Sequence, residues 1–264
     1  MKISKLAIVM LASAAIVSLN SCVFSVNLKK LKEQSKIVAS GKIVKLDTLV
    51  QDFESIESHD SFDITYYQKD TVPCVVISAS DNVLPYIKVK SEDGKLTLSY
   101  KEDHNGRIPI FNMGSVTVKI FSKSIKSVEI VGSGDFTADG LKSDVFSYSC
   151  AGSGDMVLKD MTCNSFLGTV AGSGDIRFDG IECKNFSASV AGSGDIQASR
   201  IKCDILKANV AGSGDISIYG SAAKADLRVS GSGDIDAKHL VCDNISTSTN
   251  GSGDIDKPRK FNKQ

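Results

Sequence analysis

The chain has 264 residues, with 31 basic and 31 acidic side chains, no tryptophan and 6 % aromatic residues. A formal charge of zero leaves no basic excess for a phosphate backbone, so nucleic acid is excluded as a partner. Abundant glycine with few large rings suits tight turns and small side chains, not a bulky globular core.

The first predicted element is a secretion signal, residues 1–21. Lys2 and Lys5 open it, and Leu6 to Val17 is an apolar run too short to span a bilayer. Its end, Leu19-Asn20-Ser21-Cys22, resembles a bacterial lipoprotein signal, in which the cysteine is acylated and becomes the mature N-terminus. Cys22 is therefore the expected lipidation site and the anchor to a membrane. An ordinary secretion signal with a chance cysteine is the alternative. Residues 22–36, with Lys29, Lys30, Lys32 and Lys36, read as a tether.

Residues 37–130 are strand-like without a period. Cys74 to Ser78, Ile87 to Val89, Leu96 to Tyr100 and Val116 to Phe121 alternate or run apolar, with turn signals at Glu92-Asp93-Gly94 and Asn105-Gly106. Ile56 and Phe62 are six apart, as are Ile130 and Phe136, so Ser58-His59-Asp60-Ser61 reads as a decayed turn of the repeat that follows. These features predict irregular β coils with inserted hairpins, continuous with the downstream repeats.

From 131 to 264 one motif dominates. Gly-Ser-Gly-Asp begins at Gly132, Gly152, Gly172, Gly192, Gly212, Gly231 and Gly251, at intervals of 20 residues except one of 19. A fixed period of this length marks stacked coils, none of which can bury its own apolar face. The expected fold is all-β, a parallel β-solenoid of 20-residue coils. Between turns the apolar residues alternate. In one coil Phe186, Ala188, Val190, Ile196, Ala198, Ile201 and Cys203 form the inward set, and Ser187 and Ser189 point out. Ala225 interrupts a Phe, Leu and Ile column, and Leu227 restores the lost volume two residues on. Cys163, Cys183, Cys203 and Cys242 share one slot with Ser143 and Ala223, the pattern of a cramped inward position, so buried thiols are expected. Disulfides are the alternative in an oxidising envelope.

The turn aspartates should stack into a ladder. At a coil spacing of about 4.8 Å, neighbouring carboxylates repel by roughly 3.5 kcal/mol at an effective dielectric of about 20 and roughly 0.9 in bulk water. Two arrangements would offset this. In one, each carboxylate accepts backbone N–H groups of its own turn, with the glycines supplying positive φ. In the other the ladder is a cation rail, and calcium is the candidate ion. Its best-placed ligands are Asp215 and the carboxylates of the last two turns, Asp234, Asp236, Asp254 and Asp256, with Lys238 and Lys257 competing. No other cofactor is indicated. Catalysis on a β-helix needs an aperiodic acid–base set in a lateral groove. The nearest approach is Asp160, Asp179 and Glu182, better read as a solvated loop, so no enzyme is expected.

The lipoprotein signal, the Phe53 to Gln68 and Ser78 to Ile87 segments and the serial Gly-Ser-Gly-Asp turns together resemble the putative auto-transporter adhesin, head GIN domain family. The resemblance covers roughly residues 47–255 and implies a right-handed β-helix-like fold in envelope proteins common in Bacteroidota. It carries no catalytic residue to transfer. It implies an adhesin that is held to the outer membrane by its lipid, on the periplasmic or surface face, and binds a glycan or an extracellular protein. A scaffold that pairs end to end or laterally as a homo-oligomer is the rival; a carbohydrate-active enzyme is a weaker one.

Overall fold

The structure, a computed structural model, describes residues 36–102, 110–112, 114 and 116–258. The signal segment, Cys22, the tether up to residue 35 and the Asn105-Gly106 turn lie outside them. The described residues belong to one compact unit. Apart from one short 3-10 turn, Leu84–Tyr86, the elements among the described residues are strands, and the fold is a parallel β-solenoid.

The regular coils stack in register. Ile176, Ile196, Ile216, Ile235 and Ile255 face one another on successive coils, as do Phe166, Phe186, Leu206, Ala225 and Ile245. The predicted inward set of the Phe186 to Cys203 coil is buried throughout. Leu227 stands opposite Ala208 and fills the core beside Ala225. Gly168 leaves room for rings: a Cβ there would meet Phe178 at 3.0 Å and Phe166 at 3.2 Å. Phe166 packs edge-on against Phe178 at 4.7 Å between centroids and stacks on Phe186 at 5.2 Å.

The turns correct one expectation. Among their glycines only Gly132 and Gly251 have positive φ, so left-handed backbone is not what selects the motif. Close stacking selects it. From Gly152 to Gly251, a Cβ on the first glycine of a turn would lie 1.8–2.2 Å from the carbonyl oxygen of the first glycine one coil earlier. A Cβ on the second glycine, from Gly154 to Gly253, would lie 2.0–2.1 Å from its counterpart. Backbone touches backbone here, and no side chain fits.

Left-handed residues sit instead at the opposite corner, at Gly140 (φ 70°), Asp160 (46°), Gly180 (82°) and Arg200 (53°). Around this corner the later coils run as one bent strand each, Ile176–Val190, Ile196–Val210, Ile216–Val229 and Ile235–Thr249, not as separate short strands. The 19-residue interval is explained at the same place. Ala198 pairs with Ile218, but Ile201 pairs with Gly220, so the short coil omits one corner residue. The cysteine slot of that coil is consequently Ala222, not Ala223, with Cys203 below and Cys242 above.

Upstream, strands Ser55–Asp60 and Phe62–Gln68 pair in parallel with the first regular coil, joining the irregular region to the solenoid in one sheet. The decayed turn is real, but its register differs by two residues. Ile56 faces Val128, Ser58 faces Ile130 and Ile64 faces Phe136. Antiparallel strands then close this end: Cys74–Ser80 lies between Val116–Ser122 and Ile43–Leu49. The hairpin Ile87–Glu92 with Lys95–Tyr100 turns at Asp93-Gly94, both with positive φ (52° and 75°), as a tight two-residue turn requires.

Candidate functional site: the carboxylate ladder and the solenoid faces

The ladder is built between coils rather than within each turn. Oδ1 of Asp135, Asp155, Asp175, Asp195, Asp215 and Asp234 accepts the backbone N–H of the aspartate one coil later, at 2.7–3.0 Å. The carbonyl of that later aspartate in turn accepts an N–H from the earlier coil, as Phe136 gives to Asp155 and Ile196 to Asp215. A hydrogen bond to a charged acceptor contributes about 1.5–3 kcal/mol, the same size as the repulsion it must offset. Arg177 adds countercharge, with guanidinium nitrogens 3.8 Å from Asp155 and 3.3 Å from Asp175. The ladder also starts earlier than the repeat suggests: Asp135 N–H points at Oδ1 of Asp63, 3.5 Å away.

Among the five residues singled out for calcium, Asp215, Asp234 and Asp254 are members of this ladder. Asp236 accepts the Lys238 backbone N–H at 3.0 Å, and Lys238 Nζ sits 2.7 Å from Asp256. Among the described residues no group of three or more His, Cys, Asp or Glu side chains is placed to hold a metal ion. The acidic trio is likewise tied up: Arg200 bridges Asp160 at 3.2 Å and Asp179 at 2.6 Å, and Lys202 holds Glu182 at 2.8 Å. The Arg200 guanidinium keeps the Asp179 carboxyl below the usual carboxylate range. These pairs span consecutive coils and brace the left-handed corner.

Cys163, Cys183 and Cys203 are buried free thiols in one row along a groove of about 480 Å³. Their interaction pushes Cys183 up, and burial pushes Cys203 up to about 12, so both keep their protons. On the face before the turns, Ser149, Thr169, Ser189, Asn209, Arg228 and Ser248 face one another coil by coil in a straight outward row. This is a flat polar surface of hydroxyls, one amide and one guanidinium. No nucleophile–base pair stands in it.

The sequence signature of the putative auto-transporter adhesin, head GIN domain family matches residues 52–223 and, again, residues 206–257. The chain belongs to that family. Solved structures agree. A putative adhesin from Bacteroides fragilis NCTC 9343 superposes with a TM-score of 0.74 at 25 % identity, over 84 % of this chain and 99 % of that one. A putative lipid binding protein from Parabacteroides distasonis ATCC 8503 gives 0.70 at 27 % identity, over 85 % and 100 %. A putative adhesin from Parabacteroides merdae ATCC 43184 shares the fold, with a TM-score of 0.67 at 19 % identity over 85 % and 99 %. No curated protein matches the chain. No helix among the described residues is long and apolar enough to cross a membrane.

Proposed function

We propose that the protein is a non-enzymatic adhesin-type binding module, anchored through acylated Cys22 to the outer membrane and reading extracytoplasmic ligands with the side faces of its solenoid. The observation that carries this is the in-register outward row from Ser149 to Ser248, a repeating surface in which the one cation, Arg228, is held by Asp226 of its own coil at 2.7 Å. Repetition favours an extended or repetitive ligand, because each coil offers a similar contact to the next unit. Family membership and the adhesin names of its structural relatives support the same reading.

Two measurements test it. Full-length protein purified in detergent is applied to arrays of glycans and matrix proteins, and binding is expected to weaken when Asn209 and Arg228 are both replaced by alanine. Retention of every ligand by that double variant would move the contact elsewhere. Cys22→Ser is expected to shift the protein from membrane to soluble fractions. A wild type that is already soluble would remove the anchor from this reading.

A lipid ligand is the second reading, suggested by the name of one relative and by a groove of about 530 Å³ floored by Leu206, Ala225 and Ile245. It predicts that Ile205→Asp, which puts a charge on the exposed wall of the groove, abolishes uptake of a fluorescent fatty acid. The adhesin reading predicts no uptake to abolish.

A further inference from the structure

The first coil departs from the repeat where the chain turns. Asp60 stands in register with Gly132, the first glycine of the regular series, and holds a left-handed backbone at φ 77°. Every regular turn has glycine at this position. An aspartate there keeps a strained conformation and adds a carboxylate, and strain of this kind concentrates at functional sites. The carboxylate is unusual in its surroundings as well. Its Oδ2 is buried without a hydrogen-bond partner, whereas the neighbouring Glu57 is held by Lys95 and His59. A buried acceptor left open asks for a donor from elsewhere.

Asp60 lines a cleft of about 800 Å³ with His59, Lys88, Thr97, Ser99 and Tyr100, within the size range of small-ligand sites. Thr97 and Ser99 alternate outward on the strand Lys95–Tyr100, and Lys88 is the cross-strand partner of Ser99. Lys101 is fixed at the rim by its bond to the Pro85 carbonyl at 2.7 Å. Burial and the charges of Asp60 and Asp63 push the Tyr100 phenol up to about 12, so its hydroxyl stays protonated. The charges of the cleft cancel, with Lys88 and Lys101 against Asp60 and Glu102. An anionic ligand would meet the Asp60 carboxylate, and a cation would meet the Lys88 ammonium. An uncharged molecule carrying several hydroxyls satisfies both sets.

We propose that this cleft binds a neutral sugar, with the Asp60 carboxylate accepting from its hydroxyls and Lys88, Thr97 and Ser99 donating to its oxygens. The inference rests on the binding-module reading and names a ligand class and a place for it. The row from Ser149 to Ser248 is a separate surface, so the two can be tested apart.

The test uses full-length protein in detergent and saturation-transfer NMR with glucose, galactose, mannose and N-acetylglucosamine at millimolar concentration. At least one sugar is expected to bind the wild type. Asp60→Gly restores the residue of the regular turns, so the melting temperature should hold or rise while sugar binding weakens about tenfold or more. Thr97→Ala combined with Ser99→Ala should weaken it too. A merely structural Asp60 would leave sugar binding unchanged in Asp60→Gly, and that result overturns the proposal. So does a wild type that binds none of the four sugars. If that wild type still binds the ligand arrays, only this inference falls; if it binds neither, the binding-module reading falls with it.

Discussion

The regular coils and the first coils solve the same stacking problem under different constraints. From Gly152 onwards the turn is dictated by backbone meeting backbone, and two glycines per coil are the only residues that fit. In the first coil the corresponding positions hold Asp60 and Phe62, both with side chains, because the chain beneath them no longer repeats the turn. There the stack ends in antiparallel strands, and the outermost, Ile43–Leu49, carries Lys45 and Asp47 on its edge. The opposite end is closed by composition. Thr247 and Thr249 take the inward columns of Leu227 and Val229, so the last full coil presents hydroxyls where its predecessors present hydrocarbon. Repetition thus restricts sequence most in the middle of the stack, and freedom for chemistry returns where repetition stops.

The largest expected effect breaks the middle. Gly192→Ala places a methyl 2.0 Å from the Gly172 carbonyl oxygen, so it should cost about 4 kcal/mol or more in the denaturant midpoint. Asp60→Gly in the first coil should instead stabilise, by about 1 kcal/mol. Equal effects would show that the two turns are under the same constraint. Next comes the core. Ile196→Asp buries a charge between coils and should cost about 3–5 kcal/mol, while Ser189→Asp on the outward phase should change stability by less than about 0.5.

The ladder gives a smaller effect. Asp195→Ala strips the cap from the Asp215 N–H and should cost about 1–2 kcal/mol, while Asp195→Asn keeps the acceptor and should hold stability. Calcium should leave the melting temperature of the wild type unchanged. A chelator-sensitive shift lost in Asp234→Asn with Asp254→Asn would restore the cation rail. The smallest effect belongs to the first coils. Lys95 holds the Glu57 carboxyl below its ordinary range. A depressed folded-state value means that this contribution is complete above the unfolded carboxylate value of about 4.3 and is lost as pH falls through the folded one. Glu57→Gln should therefore flatten the acid limb of the stability profile and leave the neutral region little changed.

Much of this molecule was legible because repetition exposes its own geometry. The interval between turns revealed the coil, and alternation revealed the inward columns, which the structure buries as far as Val229 and leaves partly exposed at Cys242 and Ile245 in the last full coil. Three features were not legible, each for a physical reason. The first coil slipped by two residues because side chains alternate with a period of two. Such a slip keeps every inward residue inward, and only the turn from Asp60 to Asp63 sets the true register. The short coil was misplaced by one residue, at Ala223 instead of Ala222, since a count from turn to turn does not show which corner lost a residue. The Asp60 cleft depends on a backbone angle and an open oxygen, and neither leaves a mark in residue order.

The aspartate ladder has a further consequence, because the hydrogen bonds to its carboxylates all point one way. Each carboxylate serves the coil that follows it, so the two ends of the stack are not equivalent. Deleting the final coil would open one acceptor, Asp234 Oδ1, and one backbone donor, the N–H of Ile235 that now gives to the Asp254 carbonyl, both at an end that already faces water. Deleting the first regular coil would strip the N–H of Asp155 of its acceptor and separate the repeats from their antiparallel cover. The molecule therefore has a growing end and a founding end. Duplications and losses of whole coils should be tolerated near Asp254, and a chain shortened from that side should keep its fold coil by coil.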